Sequence, residues 1–314
     1  MFTSKICLTV TVALLLGELT LAHTAVAETG FEGGLPFSNR FLEKKLRSRV
    51  DGSVTTGEKW NVYLTGRWAE GACNSVVTRN DTLYMGNGAY LEIVDFKLAA
   101  APVSLGRVAV PGLILDVAIE GQVVCVADGV EGLWVIDVSD PTRPSLAGSY
   151  QPPGSAGGVD LRDGYAYVAD GVGGLRVVDV SAPASPVEVG IYDDISSAVD
   201  VAVEGGYAYV ADLVAGLVVI DVGTHSNPTL AGAYHTLGTA AAVAVSGSYA
   251  YVADGEKGLS VVDVSTPSAP NRVGGYDPLL DLGRFFQGVS VAGNFAYVAD
   301  KVYGLRLIDV SSPT

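Results

Sequence analysis

The chain has 314 residues, 49% of them hydrophobic and 17% charged, with 39 glycines, a composition that excludes a disordered or collagen-like protein. Its formal net charge of −15 argues against a nucleic-acid backbone as partner. The length suits one large domain or two ordinary ones.

The N-terminus reads as an export signal over residues 1–27. Lys5 supplies the positive charge, residues 6–16 an apolar run, and Ala25, Val26 and Ala27 a small-residue cleavage site before Glu28. Gly17 and Glu18 stop the run well short of the ~20 apolar residues that a spanning helix needs. The mature chain is therefore expected to have no transmembrane segment and to lie outside the cytoplasm: extracellular, at the cell surface or periplasmic. Cys73 and Cys125 are the cysteines left after cleavage, too few for a disulfide framework, so the core must come from packing. Residues 28–59 read as a linker. Ser38 can cap a short helix there, with Phe41, Leu42 and Leu46 on one side, and the surrounding Gly, Ser and Thr fit a mobile leader equally well. The ring that follows, residues 60–314, carries 12 basic and 28 acidic residues, so the acidity belongs to it.

From residue 60 the chain repeats itself. LEIVDF, LWVIDV, LRVVDV, LVVIDV, LSVVDV and LRLIDV place Asp95, Asp137, Asp179, Asp221, Asp263 and Asp309 in register, at spacings of 42, 42, 42, 42 and 46. A second Asp nine residues earlier recurs as Asp128, Asp170, Asp212, Asp254 and Asp300; in the first row Gly86 takes its place, and Leu83 stands where later rows carry Tyr. Each row divides into four apolar runs, a to d, which in the third row are 159–162, 165–170, 175–180 and 187–192. Val, Ile and Tyr dominate them, Gly or Pro stands at the junctions, and no 3.6-residue period appears, so they predict strands. A four-stranded unit recurring every ~40 to 50 residues is the signature of a β-propeller blade. Runs such as VDVAVEGGYAYVAD are apolar on both faces, as blades packed face to face require. The expected fold is all-β, a six-bladed β-propeller of four-stranded antiparallel blades. The sixth row reaches Thr314 after its third strand, and residues 62–68 (VYLTGRW) match a d strand, with Gly66 and Trp68 in its Gly and aromatic positions. Donating that N-terminal strand to the last blade would close the ring and remove an exposed edge.

These strings, preceded by ADGxxG and followed by DVSxPxxP variants, resemble the LVIVD-repeat family of β-propellers over roughly the whole ring. The resemblance implies an exported or cell-surface scaffold of bacterial or archaeal type. It implies no particular chemistry.

The recurring acids invite a metal reading, but no stretch has the DxDxDG spacing that gathers several oxygens around one ion. Asp128, Asp170, Asp212 and Asp254 each open a tight b–c connection with Gly at 132, 174, 216 and 258, where Asp accepts backbone N–H bonds and Gly tolerates positive φ. No metal and no cofactor are expected. Tyr165, Tyr167, Tyr207, Tyr209, Tyr249, Tyr251 and Tyr297 fill two alternating slots on strand b and should pack between blades, with Cys125 in one such slot. Prolines such as Pro141, Pro144, Pro183 and Pro186 stiffen the c–d connections. Asn74, Asp116 and Asp200 share one position at the start of strand a, where Gly158, Ala242 and Gly288 replace them. That set would ring a channel mouth and hold either a small ligand or water. GxSxG, HExxH, CxxC and phosphate-loop signatures are absent, and no catalytic residue is assigned.

The repeat breaks most at a four-residue insertion before the sixth row. DPLLDLGRFFQG, residues 277–288, puts Leu280, Arg284, Phe285 and Phe286 into a d–a loop, on the face shared with the b–c turns, which carry Leu213, Val214, Lys257 and Tyr303. With Tyr192, Asp193, Asp194, His235 and Tyr303 as rim, these residues are the expected contact surface for a protein or glycan partner. The competing arrangement folds both Phe rings inward to plug the channel. The expected function is that of an exported binding or interaction module; the alternatives are a lyase or hydrolase with a channel-mouth site and a purely structural surface element.

Overall fold

The computed structural model describes residues 5–7, 73–99, 101–277 and 284–312. Most of the expected signal sequence, the linker 28–59, the closing strand 62–68 and Leu280 lie outside the described residues.

The predicted strands form, and they stack as six blades in a ring. Blade 1 contains β2 (Cys73–Arg79), β3 (Thr82–Asn87), β4 (Tyr90–Asp95) and β5 (Val103–Ala109); blade 2 contains β6 (Asp116–Glu120), β7 (Val123–Ala127), β8 (Leu133–Asp137) and β9 (Ser145–Tyr150). Blade 3 contains β10 (Gly158–Arg162), β11 (Tyr165–Ala169), β12 (Leu175–Asp179) and β13 (Val187–Tyr192); blade 4 contains β14 (Ala198–Glu204), β15 (Tyr207–Asp212), β16 (Gly216–Asp221) and β17 (Thr229–Tyr234). Blade 5 contains β18 (Ala242–Ser246), β19 (Tyr249–Ala253), β20 (Leu259–Asp263) and β21 (Asn271–Tyr276), and blade 6 contains β22 (Phe286–Ala292), β23 (Phe295–Asp300) and β24 (Gly304–Asp309). Every blade is an antiparallel meander, and the innermost strands follow one another around the axis in chain order. β1 (Lys5–Cys7) pairs antiparallel with Val77, Val76 and Ser75 on the inner edge of β2 and runs beside β22. Among the described residues there is no helix, and none long and apolar enough to cross a membrane.

Burial lies in the seams between blades. Five apolar clusters each span two successive blades; that of blades 3 and 4 joins Tyr167, Leu175 and Val177 to Val201, Val210 and Ile220. The strand b slots behave as expected: Tyr167, Tyr209 and Tyr251 are buried, as is Cys125. Cys73 and Cys125 are free thiols, and burial pushes the Cys73 thiol up to about 11.

The first row needs a correction. Its b–c turn is one residue shorter than the others, running from Asn87 to Tyr90 through Gly88 and Ala89. Tyr84, paired with Ile93, therefore fills the slot that Cys125 and Tyr167 fill opposite Val135 and Val177, and Asn87 ends strand b where later rows have Asp. Reading in rows of 42 hid this deletion and put Leu83 and Gly86 in those places.

Strand d owes its recurring Gly to the neighbouring blade. A Cβ on Gly106 would lie 2.6 Å from the Pro141 carbonyl oxygen and 2.9 Å from Pro144 Cδ. Gly148 meets Pro183 and Pro186 in the same way, Gly190 meets His225 and Pro228, and Gly232 meets Pro267 and Pro270. The c–d turn of one blade thus seats on the outer strand of the blade before it, and each c–d pair has a β-bulge at this point.

Candidate interaction face

The d–a loops and b–c turns share one face because the buried Asp that ends strand b ties them together. Asp128 accepts the Gly112 amide at 2.8 Å, Asp170 the Gly154 amide at 3.0 Å, Asp212 the Ser197 amide at 2.6 Å and Asp254 the Gly238 amide at 3.0 Å. In each pair the amide belongs to the loop entering the same blade. The second Asp series makes Asx turns: Oδ1 of Asp137, Asp179, Asp221, Asp263 and Asp309 accepts the amide two residues on, at 2.8 to 2.9 Å.

The b–c turns fall into two classes, set by the residue after Asp. In blades 2, 3 and 5 it is Gly129, Gly171 or Gly255, at φ 58°, 56° and 55°, and the turn amides go to backbone carbonyls, as Glu131 to Asp128 does. Gly129 and Gly171 then exchange hydrogen bonds with Ala156 and Ala198 of the following blade. Blades 4 and 6 have Leu213 and Lys301 instead, and there the turn amides converge on the carboxylate: Val214 and Ala215 on Asp212 Oδ1 at 2.8 and 2.6 Å, Val302 and Tyr303 on Asp300 Oδ1 at 3.0 and 3.3 Å.

Both classes present apolar side chains to solvent. Val172 is 78% exposed, Val130 71% and Val214 65%, with Leu213, Val302 and Tyr303 exposed in the same turns; Leu237, 75% exposed, and Leu113 stand beside them on d–a loops. These residues form a crown around one end of the ring, an arrangement that marks contact surfaces on soluble proteins. Of these, the sequence already pointed to Leu213, Val214 and Tyr303 beside the insertion; the signal for Val130, Val172 and Val302 was the apolar residue recurring between Asp and Gly in the b–c turns.

The insertion residues divide. Arg284 pairs with Asp277 at 2.5 Å and donates Nε to the Glu256 carbonyl at 3.0 Å, so it fastens the loop to the turn of blade 5. Phe285 is half-buried, with its ring over Gly255. Phe286 does not belong to the contact surface. It is fully buried in the seam of blades 5 and 6, stacked on Tyr276 at 6.5 Å with Arg306 5.7 Å from its ring. Neighbouring residues at the start of a strand point opposite ways, which is why one ring covers a turn while the other enters a seam. Tyr192 ends β13 on blade 3 and Asp193 and Asp194 follow it, with Tyr192 half-buried and both carboxylates exposed; His235 follows β17, with Nδ1 3.3 Å from the Ala215 carbonyl. Tyr303 is exposed, with Arg306 5.0 Å from its ring. The rim residues share the face, spread over blades 3, 4 and 6.

The channel-mouth set links blades. Asn74 Nδ2 donates to the Ile114 carbonyl at 2.9 Å. Asp116 accepts Ser75 Oγ from blade 1 and the Val159 amide from blade 3, both at 2.8 Å, and Asp200 accepts the Val201 and Val243 amides at 2.8 and 2.9 Å. Asp160, outside both Asp series and therefore missed, does the same between blades 3 and 4 through the Val203 amide at 2.8 Å. The carboxylates link the inner strands of blades 1 to 5 in succession. Among the described residues no group of three or more His, Cys, Asp or Glu is placed to hold a metal ion.

Six radial antiparallel sheets with cores in their seams define a β-propeller. The solved structures that resemble it share little sequence. They include the computationally designed Ika8 protein (10% identity, 76% of this chain and 71% of that one, TM-score 0.57) and a chain of the Mitotic Checkpoint Complex (12%, 76% and 74%, 0.64). The β-propeller domain of Myceliophteria thermophila Cps50 (Swd1) is a third (12%, 77% and 88%, 0.56). The LVIVD repeat model matches residues 111–152, 153–194, 196–236, 237–278 and 283–314, more than half of the chain, and the chain belongs to that family. No curated protein matches it.

Proposed function

We propose that the protein is an exported interaction module and that a protein partner docks on the face built from the d–a loops and b–c turns. The crown of exposed Leu, Val and Tyr side chains carries this reading. Aliphatic groups dominate it, a composition that suits a protein surface better than a glycan, which is gripped by aromatic faces and polar groups. Export rests on the apolar run 6–16 and the small residues ahead of Glu28. A photo-crosslinking residue placed at Val172 or Val214, with Ser226 on the opposite face as control, tests the docking face in the native host. A discrete crosslinked protein from the first two positions and none from the third is expected; crosslinks equal at all three would refute the assignment. Export is checked by the N-terminal sequence of the secreted chain, expected to begin at Glu28.

A further inference from the structure

The opposite face is built from a–b hairpins and c–d turns. Two of its hairpins turn through residue pairs at positive φ: Asp163 and Gly164 at 54° and 80° in blade 3, Gly205 and Gly206 at 61° and 84° in blade 4. Successive amides in such a turn form a small concavity that suits an anion. In blade 3 that concavity is filled. Glu120 of blade 2 accepts the Asp163 amide on Oε1 and the Gly164 amide on Oε2, both at 2.9 Å.

One blade further on, the acceptor is gone. Glu120 pairs with Val123 and Arg162 with Tyr165, so Arg162 occupies in blade 3 the position of Glu120 in blade 2. Gly205 and Gly206 lie 43 and 44 residues beyond Arg162, the separations that join Asp163 and Gly164 to Glu120. An Arg side chain has no acceptor to offer. No hydrogen bond from the Gly205 or Gly206 amide occurs among the described residues. Arg162 instead donates Nη2 to the Val203 carbonyl at 2.8 Å, which holds its guanidinium beside the hairpin.

A cleft of about 300 Å³ opens at this point, lined by Arg162, Tyr167, Gly205, Gly206 and His225, with Asp163 and Glu204 also on its walls. His225 and Gly223 are themselves departures, standing where other rows have Pro141, Pro183 and Pro267 and Ser139, Ser181 and Ser265. The imidazole lies against Tyr165, with ring centroids 3.9 Å apart, and its Nδ1 is 3.2 Å from the Tyr167 hydroxyl.

We propose that this cleft binds a small amino acid, whose carboxylate takes on the Gly205 and Gly206 amides the place that Glu120 fills one blade earlier. Arg162 adds charge-assisted hydrogen bonds to the same group. Asp163 and Glu204 favour a ligand that also carries an ammonium group over a dianion.

The test uses the mature chain, 15N-labelled and assigned, titrated with alanine, acetate and methylamine. Saturable shifts of the Gly205 and Gly206 amide resonances are expected with alanine, weaker ones with acetate, and none with methylamine. Arg162→Glu restores the acceptor of the preceding blade; its two amides should be shifted before any ligand is added and should no longer respond to alanine. Arg162→Met cannot fill the turn, so its amides stay in place while alanine binding weakens about tenfold. Unchanged alanine binding in both variants, or no saturable response to either carboxylate in the native chain, would overturn the proposal. Should Arg162→Glu fail to fold, the Met variant and the acetate titration decide alone.

Discussion

The b–c turns of blades 2, 3 and 5 and those of blades 4 and 6 begin on the same buried Asp and end on the same positive-φ Gly, yet they give the carboxylate opposite surroundings. Asp212 gathers Val214, Ala215 and Ser197 amides and the Ser196 hydroxyl, and although burial alone would raise its pKa, these donors hold it below the ordinary Asp range. Asp300 receives two amides and Arg306 Nε at 2.7 Å. In Asp128 and Asp170 one oxygen has a backbone donor, joined in Asp170 by Arg176 Nε at 3.5 Å, while Oδ1 is buried without a hydrogen-bond partner among the described residues, and burial pushes both groups up, as it does Asp254. The difference traces to one backbone conformation. Gly in the left-handed region lets the turn satisfy its own amides and reach across the seam; Leu or Lys turns the amides onto the Asp. A repeated residue therefore need not be a repeated interaction.

The largest test lies where the glycine class crosses the seam. Gly255 bonds to Phe286, which stands where Ala156 and Ala198 meet Gly129 and Gly171. Phe286→Ala restores the repeat residue but empties a filled seam, and a loss of about 3–5 kcal/mol in chemical denaturation is expected. Phe285→Ala, above the turn, should leave the melt far less changed. Equal losses would mean that both rings belong to the core.

Removing the charge should separate the classes next. Asp212→Asn keeps one acceptor oxygen for four donors and is expected to lose about 1.5–3 kcal/mol at neutral pH. Asp128→Asn keeps its single amide partner and removes a buried charge, so its melting temperature should fall much less or rise. The pH dependence has opposite signs. A depressed Asp212 stabilises the fold above the ordinary Asp range and loses that contribution as pH falls from that range through its own lower value, so the Asp212→Asn deficit should shrink in acid. Raised Asp128, Asp170 and Asp254 weaken the fold once ionised, so any gain in Asp128→Asn appears as pH rises above the Asp range and disappears below it. Parallel profiles for the two variants would break the comparison.

A smaller effect isolates the backbone. Gly171→Ala forces a Cβ into φ 56° and should destabilise by roughly 1–2 kcal/mol, whereas Leu213→Ala in the other class needs no such conformation and should change little.

Much of this was legible because it repeats. Asp, Gly and Pro at fixed spacing gave the strands, the blade count and the turn chemistry, since tight turns and close blade contacts restrict which residues fit. Less legible was anything depending on what lies across a seam. Gly190 is conspicuous in sequence, but only its contact with His225 and Pro228 explains it. The deletion in the first b–c turn slid Tyr84 and Asn87 out of their rows, and adjacent Phe285 and Phe286 looked alike until the strand boundary set their directions. Asp160 and Arg162 stand out only once the neighbouring blade is known to supply or lack their partner.

The smallest expected change in stability is also the one that separates scaffold from surface. Val172 in the glycine class and Val214 in the other are 78% and 65% exposed, so neither supports the fold through burial. Their replacement by Ser should move stability by no more than about 0.5 kcal/mol, as for other exposed positions. If the crown is one contact surface, Val172→Ser and Val214→Ser should each weaken the crosslinked partner's binding, and the double variant should weaken it more than either. The two turn classes would then be different solutions for holding a carboxylate under the same kind of exposed side chain. A double variant that binds as well as the native chain, with its melt unchanged, would leave the turns their structural task alone.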